Sequence, residues 1–262
     1  MQNCSKYLQI AINICIFAIN MSIKLAIAHN FQYFKQKKLN AMNKKTTTEH
    51  IHHLLILDES GSMQSIRRQT MDTFNEIMSH NKQLISDNPD QEHRLSFFTF
   101  NGRGIKTIAF NQLLTEPFAL HEGNYNPADN TPLWDAIGSS VLKVKHQIYG
   151  KPNHNVLVSI LTDGAENSSK EFNGKEIKAM IEALKPHNWA FTYIGTDHDI
   201  EAAADAIGMH SGNRIHYDKS KIFSNAELFK EMRIAFSERV HKKENLDIDL
   251  MKEAAEKVFH KK

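Results

Sequence analysis

The chain has 262 residues, 41% of them hydrophobic and 24% charged, with a formal net charge of +2. That is the composition of an ordinary soluble globular protein, long enough for one large domain or two small ones. The charge is unevenly placed. Residues 1–48 carry seven lysines and no acid, so the remainder is mildly acidic, which argues against a nucleic-acid partner. Both cysteines, Cys4 and Cys15, fall in that first segment, which excludes a disulfide framework and a cysteine-based zinc site from the rest.

Residues 1–41 form a hydrophobic and basic segment with three readings. Lys6, the apolar run of residues 7–28 and the small residues Ala26 and Ala28 fit a secretory signal. The length of the run fits a membrane anchor, although Asn13, Asn20 and Lys24 interrupt it. Alternatively, translation starts at Met42, just before the first predicted strand. The expected location is cytoplasmic, with a membrane-anchored or exported protein as the alternative, and membrane association is expected only if this segment is retained.

His50–Asp58 reads as a strand apolar on both faces, and so as a central strand of a parallel sheet. His50, His52 and His53 read as exposed or strand-edge histidines rather than a zinc site. Apolar spacing predicts one helix over 65–85, broken at Asp87–Asp90. Residues 93–101 and 105–110 predict an antiparallel hairpin around Gly102 and Gly104. A loop follows to Asn130. Thr131 reads as the N-cap of a helix running to Ile148, with Pro132 at its first position.

Asn155–Leu161 predicts a second fully apolar strand, ending in Thr162, Asp163 and Gly164. A helix over 173–185, a strand over 189–194, a short helix over 200–207, a brief strand over 214–217 and a helix over 226–240 complete the pattern. The expected architecture is an α/β, Rossmann-like, doubly wound sheet, mainly parallel, with one antiparallel hairpin strand at the edge and helices on both faces. It spans 50–241, with 242–262 as a C-terminal amphipathic helix.

In such sheets ligands bind beyond the carboxyl ends of the strands. Three loops reach that edge with oxygen ligands: Asp58, Ser60 and Ser62 from the first, Thr131 from the second, Asp163 from the third. Two carboxylates and three hydroxyls make a hard donor set suited to Mg²⁺ or Mn²⁺, with Ca²⁺ possible. Two acids under-neutralise such a cation, so an outside carboxylate is attracted to it. Glu166, Asp197, His198 and Asp199 read as caps or solvated loop residues near the rim, and Trp134 as core.

Asp58-x-Ser60-x-Ser62, Thr131 within Asn-Thr-Pro-Leu-Trp-Asp-Ala-Ile, and Asp163 within Leu-Thr-Asp-Gly resemble, in order, the three-part pattern of von Willebrand factor type A domains. Residues 162–169 and 193–195 look like the small stand-alone bacterial and phage members. The resemblance implies a metal-ion-dependent adhesion site in which Ser60, Ser62 and Thr131 contact the metal directly and Asp58 and Asp163 act through water or alternate with direct contact. Many members have glycine at the position of Asn130, and asparagine tolerates the left-handed backbone such a position needs.

The implied function is a divalent-metal-dependent protein-binding module, not an enzyme, whose Mg²⁺ is completed by an acidic residue of a partner. Two alternatives are a metal-dependent hydrolase or phosphoryl-transfer enzyme and an accessory subunit of an ATP-driven machine. Against the first stand the lack of a Gly-rich phosphate loop and of a Gly-x-Ser-x-Gly elbow.

Overall fold

Leu54, Ile56 and Leu57 are almost wholly buried, as an apolar run packed on both sides requires of a central strand. In chain order the elements are β1 (Glu49–Asp58), a 3₁₀ turn (Gly61–Ile66), α1 (Arg67–Ser79), α2 (Asn81–Asp87), β2 (Gln91–Asn101), β3 (Gly104–Leu113), α3 (Leu133–Ile148), β4 (His154–Thr162), α4 (Gly174–Leu184), β5 (Trp189–Gly195), α5 (Asp199–Ala206), β6 (Arg214–His216), α6 (Ile222–Lys242) and α7 (Leu250–Phe259). The computed structural model describes residues 48–116, 118–195, 199–216, 222–246 and 248–259, and from Thr48 on they belong to one unit. The readings made for residues 1–41 lie outside the described residues. Among the described residues no helix is long and apolar enough to cross a membrane.

The sheet has six strands in the order β3-β2-β1-β4-β5-β6. β1 pairs in parallel with both β2 and β4, and β4–β5 and β5–β6 are also parallel. Only β2–β3 is antiparallel, with irregular register between Leu95 and Phe98. The chain winds outward from β1 to β3, returns to β4, and winds out the other way. The switch point is therefore the gap between the carboxyl ends of β1 and β4.

Helices cover both faces. Leu54, Ile56, Phe98 and Phe100 pack with Leu133, Val141, Ile177 and Ile181 of α3 and α4. On the opposite face Ile51 and Leu157 pack with Phe229, Met232 and Phe236 of α6, while Leu57 and Phe97 meet Met71 and Phe74 of α1. Leu250, Met251 and Ala254 place α7 in the same cluster as α6. Trp134 is partly buried against the first cluster, as a core residue.

Several local expectations are corrected. The single helix over 65–85 is a 3₁₀ turn and two helices broken at His80. The buried guanidinium of Arg233 sits at the junction, reaching Ile77 O (3.5 Å) and Asn81 Oδ1 (2.9 Å). Neither His52 nor His53 is exposed. His53 Nε2 meets His93 Nδ1 at 3.1 Å and His52 Nε2 meets His154 Nδ1 at 2.8 Å, so pairing of imidazoles gives one nitrogen of each ring a partner that burial denies it from water, while His93 Nε2 is left without one. The left-handed residue before Thr131 is Asp129 (φ 70°), not Asn130.

Candidate metal centre

Asp58 ends β1 with no exposed surface. Its Oδ1 accepts the Ser60 N–H at 2.7 Å, so the chain turns back on the carboxylate. Its Oδ2 accepts the Thr162 hydroxyl at 2.6 Å, which ties the ends of β1 and β4 together across the switch point. Burial pushes the Asp58 carboxyl up to about 6; the bonds from Thr162 and Ser60 oppose the rise, and the charge of Asp163 adds to it.

Ser60 and Ser62 lie on the turn beyond Asp58, their hydroxyl oxygens 3.1 Å apart. Ser62 is exposed and donates its hydroxyl to Asp163 Oδ1 at 2.6 Å. Asp163 follows Thr162, whose hydroxyl also accepts the Gly164 N–H at 3.1 Å. One threonine thus fixes both the buried acid and the turn that carries the second acid.

Thr131 is buried at 3% exposure but is not a cap. The helix starts after Pro132, and no side chain bonds there from the cap position. Its first N–H groups are served from the β4 loop, where Glu166 Oε2 accepts from Trp134 N (2.9 Å) and Ser169 Oγ from Asp135 N (3.1 Å). Asp135 in turn accepts from the backbone of Lys170, Glu171 and Phe172 at 2.8–2.9 Å. Thr131 itself is clamped by Asn167, which accepts its N–H at 2.8 Å and donates its own N–H to Thr131 O at 3.2 Å. The capping role passes to Glu166 and Ser169, and the threonine hydroxyl remains at the cleft.

The spacing of these oxygens tests whether the set suits a cation. A Cβ placed on Gly164 would stand 3.1 Å from Thr131 Oγ1, 3.2 Å from Ser62 Oγ and 3.6 Å from Asp58 Oδ2. Three oxygens supplied by two loops therefore surround one small volume whose third wall is the backbone of Gly164. All five sequence-selected residues meet at this edge, with Asp58, Ser60 and Thr131 buried as a floor and Ser62 open at the mouth. The donors are hard oxygens in a space only a glycine leaves clear, which fits a small hard cation. Among the described residues no group of three or more His, Cys, Asp or Glu side chains is placed to hold a metal, so any centre depends on the hydroxyls.

Sequence reasoning missed the supports. Glu59, between two of the candidate ligands, is 2% exposed; its carboxylate accepts from Lys106 Nζ (2.9 and 3.0 Å) and from Asn126 N (2.7 Å). Tyr125, fully buried, donates its hydroxyl to Asp58 O at 2.8 Å. Gly61 N donates to Asp129 O at 2.9 Å, and Ala128 N to Glu59 O at 2.9 Å, so the 125–130 loop lies along the 58–61 turn. An alternation of polar residues at 58–62 was visible beforehand, but nothing local marks Tyr125 or Asn126 as its partners. Asp197 and His198 lie outside the described residues, as does the side chain of Asp199.

No protein-family model matches the chain, and no curated protein matches it. Among solved structures, a point-mutant form of the PilB minor pilin from Streptococcus sanguinis aligns at a TM-score of 0.50 and 13% identity, over 74% of this chain and 63% of the pilin. Proximal thread matrix protein 1 from the mussel byssus aligns at 0.49 and 14% identity over 72% of this chain. The aligned part spans less than half of the mussel protein, 46% of its length. The manganese-loaded TRAP protein of Plasmodium vivax aligns at 0.47 and 15% identity, over 70% of this chain and 74% of TRAP. At these identities the likeness is one of fold.

Proposed function

We propose that the chain is a divalent-cation-dependent protein-binding module of the von Willebrand factor type A kind. Asp58, Ser60, Ser62, Thr131 and Asp163 would hold Mg²⁺, or Mn²⁺ or Ca²⁺ in its place, and an acidic residue of a partner protein would complete the coordination. The observation that carries the reading is the convergence of Thr131 Oγ1, Ser62 Oγ and Asp58 Oδ2 on the space beside Gly164. When bound, the cation supplies a Lewis-acidic point of attachment for a carboxylate. The residues of the chain position and tune that point. Thr162 and Ser60 keep Asp58 aimed at the cleft, Asn167 keeps Thr131 there, and the open mouth at Ser62 gives a partner access.

A binding role rather than catalysis is favoured by the hydroxyl arrangement. Ser62 donates to a carboxylate and Ser60 lies against Ser62, so neither is paired with an imidazole or amine that would activate it as a nucleophile.

The reading is tested by immobilising the chain and comparing the proteins it retains in Mg²⁺ and in chelator. Retention that requires Mg²⁺ and is lost in Thr131→Ala, a variant that folds normally by circular dichroism, supports the module. Retention unchanged by chelator and by Thr131→Ala overturns it, as does Mg²⁺-dependent turnover of generic phosphoester substrates that vanishes in Asp163→Ala.

A further inference from the structure

A second polar constellation lies at the other end of the sheet. His50 and His52 of β1 are two residues apart and so share a face. In register beside them stand Glu92 and Arg94 of β2, and His154 of β4 is the neighbour of His50. With Lys151 these side chains line a pocket of about 360 Å³. It lies at the strand ends opposite the candidate metal centre, some eight residues of β1 away, or roughly 26 Å at about 3.3 Å per residue.

Several of the donors here are spent, but not all of them. Glu92 Oε1 accepts from Arg94 Nε at 2.7 Å and is 3.0 Å from His50 Nδ1, so the one carboxylate is already engaged. Arg94 Nη1 donates to Asn111 O at 2.9 Å. His52 and His154 share a single hydrogen bond, Nε2 to Nδ1, at 2.8 Å. A neutral imidazole carries one N–H, so whichever ring accepts in that bond keeps its own proton on the other nitrogen. In either tautomer the pair retains one N–H donor that this bond does not use.

The charges set the sign of the ligand. Arg94 and Lys151 outweigh Glu92, and further positive charge is resisted. Burial first, and then the neighbouring His154, Arg94, His50 and Lys151, bring His52 down to about 3; burial, His50 and Lys151 bring His154 to about 4 against a weak pull from Glu92. A divalent cation would meet the same repulsion, whereas an anion would relieve it.

We propose that this pocket binds a small inorganic oxyanion of the phosphate and sulfate class. Arg94 and Lys151 would supply the charge and the His52–His154 pair an N–H donor. Binding favours protonation of that pair, so the pocket takes up a proton as the oxyanion binds and the affinity rises as the pH falls.

The full chain, stripped of divalent ions, is titrated with inorganic sulfate by calorimetry at constant ionic strength in chloride. Sulfate keeps one charge across the range, which separates titration of the pocket from titration of the ligand. Saturable binding is expected, about tenfold or more tighter near pH 5.5 than near pH 8, with heats that depend on the buffer because protons are taken up. Inorganic phosphate should compete for the same site. Lys151→Gln, an exposed substitution, should weaken binding about tenfold, and Thr131→Ala should leave it unchanged. No saturable heat, equal affinity in Lys151→Gln, or loss of binding in Thr131→Ala would each overturn the proposal. So would Zn²⁺ binding that moves the His52 and His154 imidazole ¹⁵N resonances when sulfate does not.

Discussion

Thr162 donates its hydroxyl to Asp58 Oδ2 at 2.6 Å, joining residues 104 positions apart at the ends of adjacent strands. The bond crosses the sheet's switch point and orders a carboxylate that burial alone would drive toward its neutral form. Thr162→Val keeps the shape and removes the donor. It should cost about 1–3 kcal/mol, because Asp58 Oδ2 then loses a partner in a buried setting and Gly164 N loses one in a half-buried setting. Urea denaturation checks this, and Thr162→Ser should recover most of the loss. A valine variant as stable as the parent would refute the role.

Mg²⁺ should stabilise the folded chain, since a site assembled from three loops exists only when β1, β4 and the start of α3 are in place. At a hundredfold excess over the dissociation constant the gain is about 2.7 kcal/mol. Thermal melts in Mg²⁺ and in chelator measure it. Thr131→Ala should erase the difference while leaving the chelator melt close to that of the parent, because the first N–H groups of α3 are served by Glu166 and Ser169 rather than by Thr131. A Mg²⁺-dependent rise that survives in Thr131→Ala would remove that hydroxyl from the site.

Glu59 is a buried acid whose main counter-charge, Lys106, is itself half exposed. Lys106→Met should therefore destabilise by less than the loss of a fully buried partner would, about 1–3 kcal/mol after screening. Glu59→Gln should be milder, since an amide oxygen can still accept from Asn126 N. Chemical denaturation of the two variants should show that order; the reverse order would mean that the ion pair contributes nothing.

The buried imidazoles set a pH dependence. Burial holds His52 near 3 and holds His93 near 4, the latter with help from Arg233; ordinary histidine titrates at 6.5. Between those values the unfolded chain binds more protons than the folded one, so stability falls as the pH drops from about 6.5 toward 4. Each group can contribute up to about 3 kcal/mol across that window. Asp58, raised to about 6, acts in the opposite sense, gaining its proton first in the folded chain. The histidine effect is therefore read in Asp58→Asn, in sulfate-free buffer, as the urea midpoint at several pH values. A flat profile from pH 7 to 5 would contradict it.

Much of the sheet was legible because its strands are short apolar runs ended by turn residues, and β1 and β4 stand within a residue or two of their predicted bounds. The break at His80 was not legible, since the apolar spacing continues through it and Arg233, which packs at the junction, lies more than 150 residues away. Burial of His52 and His53 was equally hidden. A histidine on a strand looks polar until the pairing of β1 with β2 and β4 brings His93 and His154 against it.

The sequence by itself determined the five oxygen-bearing residues and the doubly wound α/β order, because residue chemistry and hydrophobic period are local properties. The tertiary structure decided how those oxygens are held. Thr162 rather than a local turn alone fixes Asp58, and Asn167 fixes Thr131 while Glu166 and Ser169 take over the cap. Each of these supports is a hydrogen bond between distant segments, and only the pairing of strands at the switch point places Asp58 and Thr162 within 3 Å of each other.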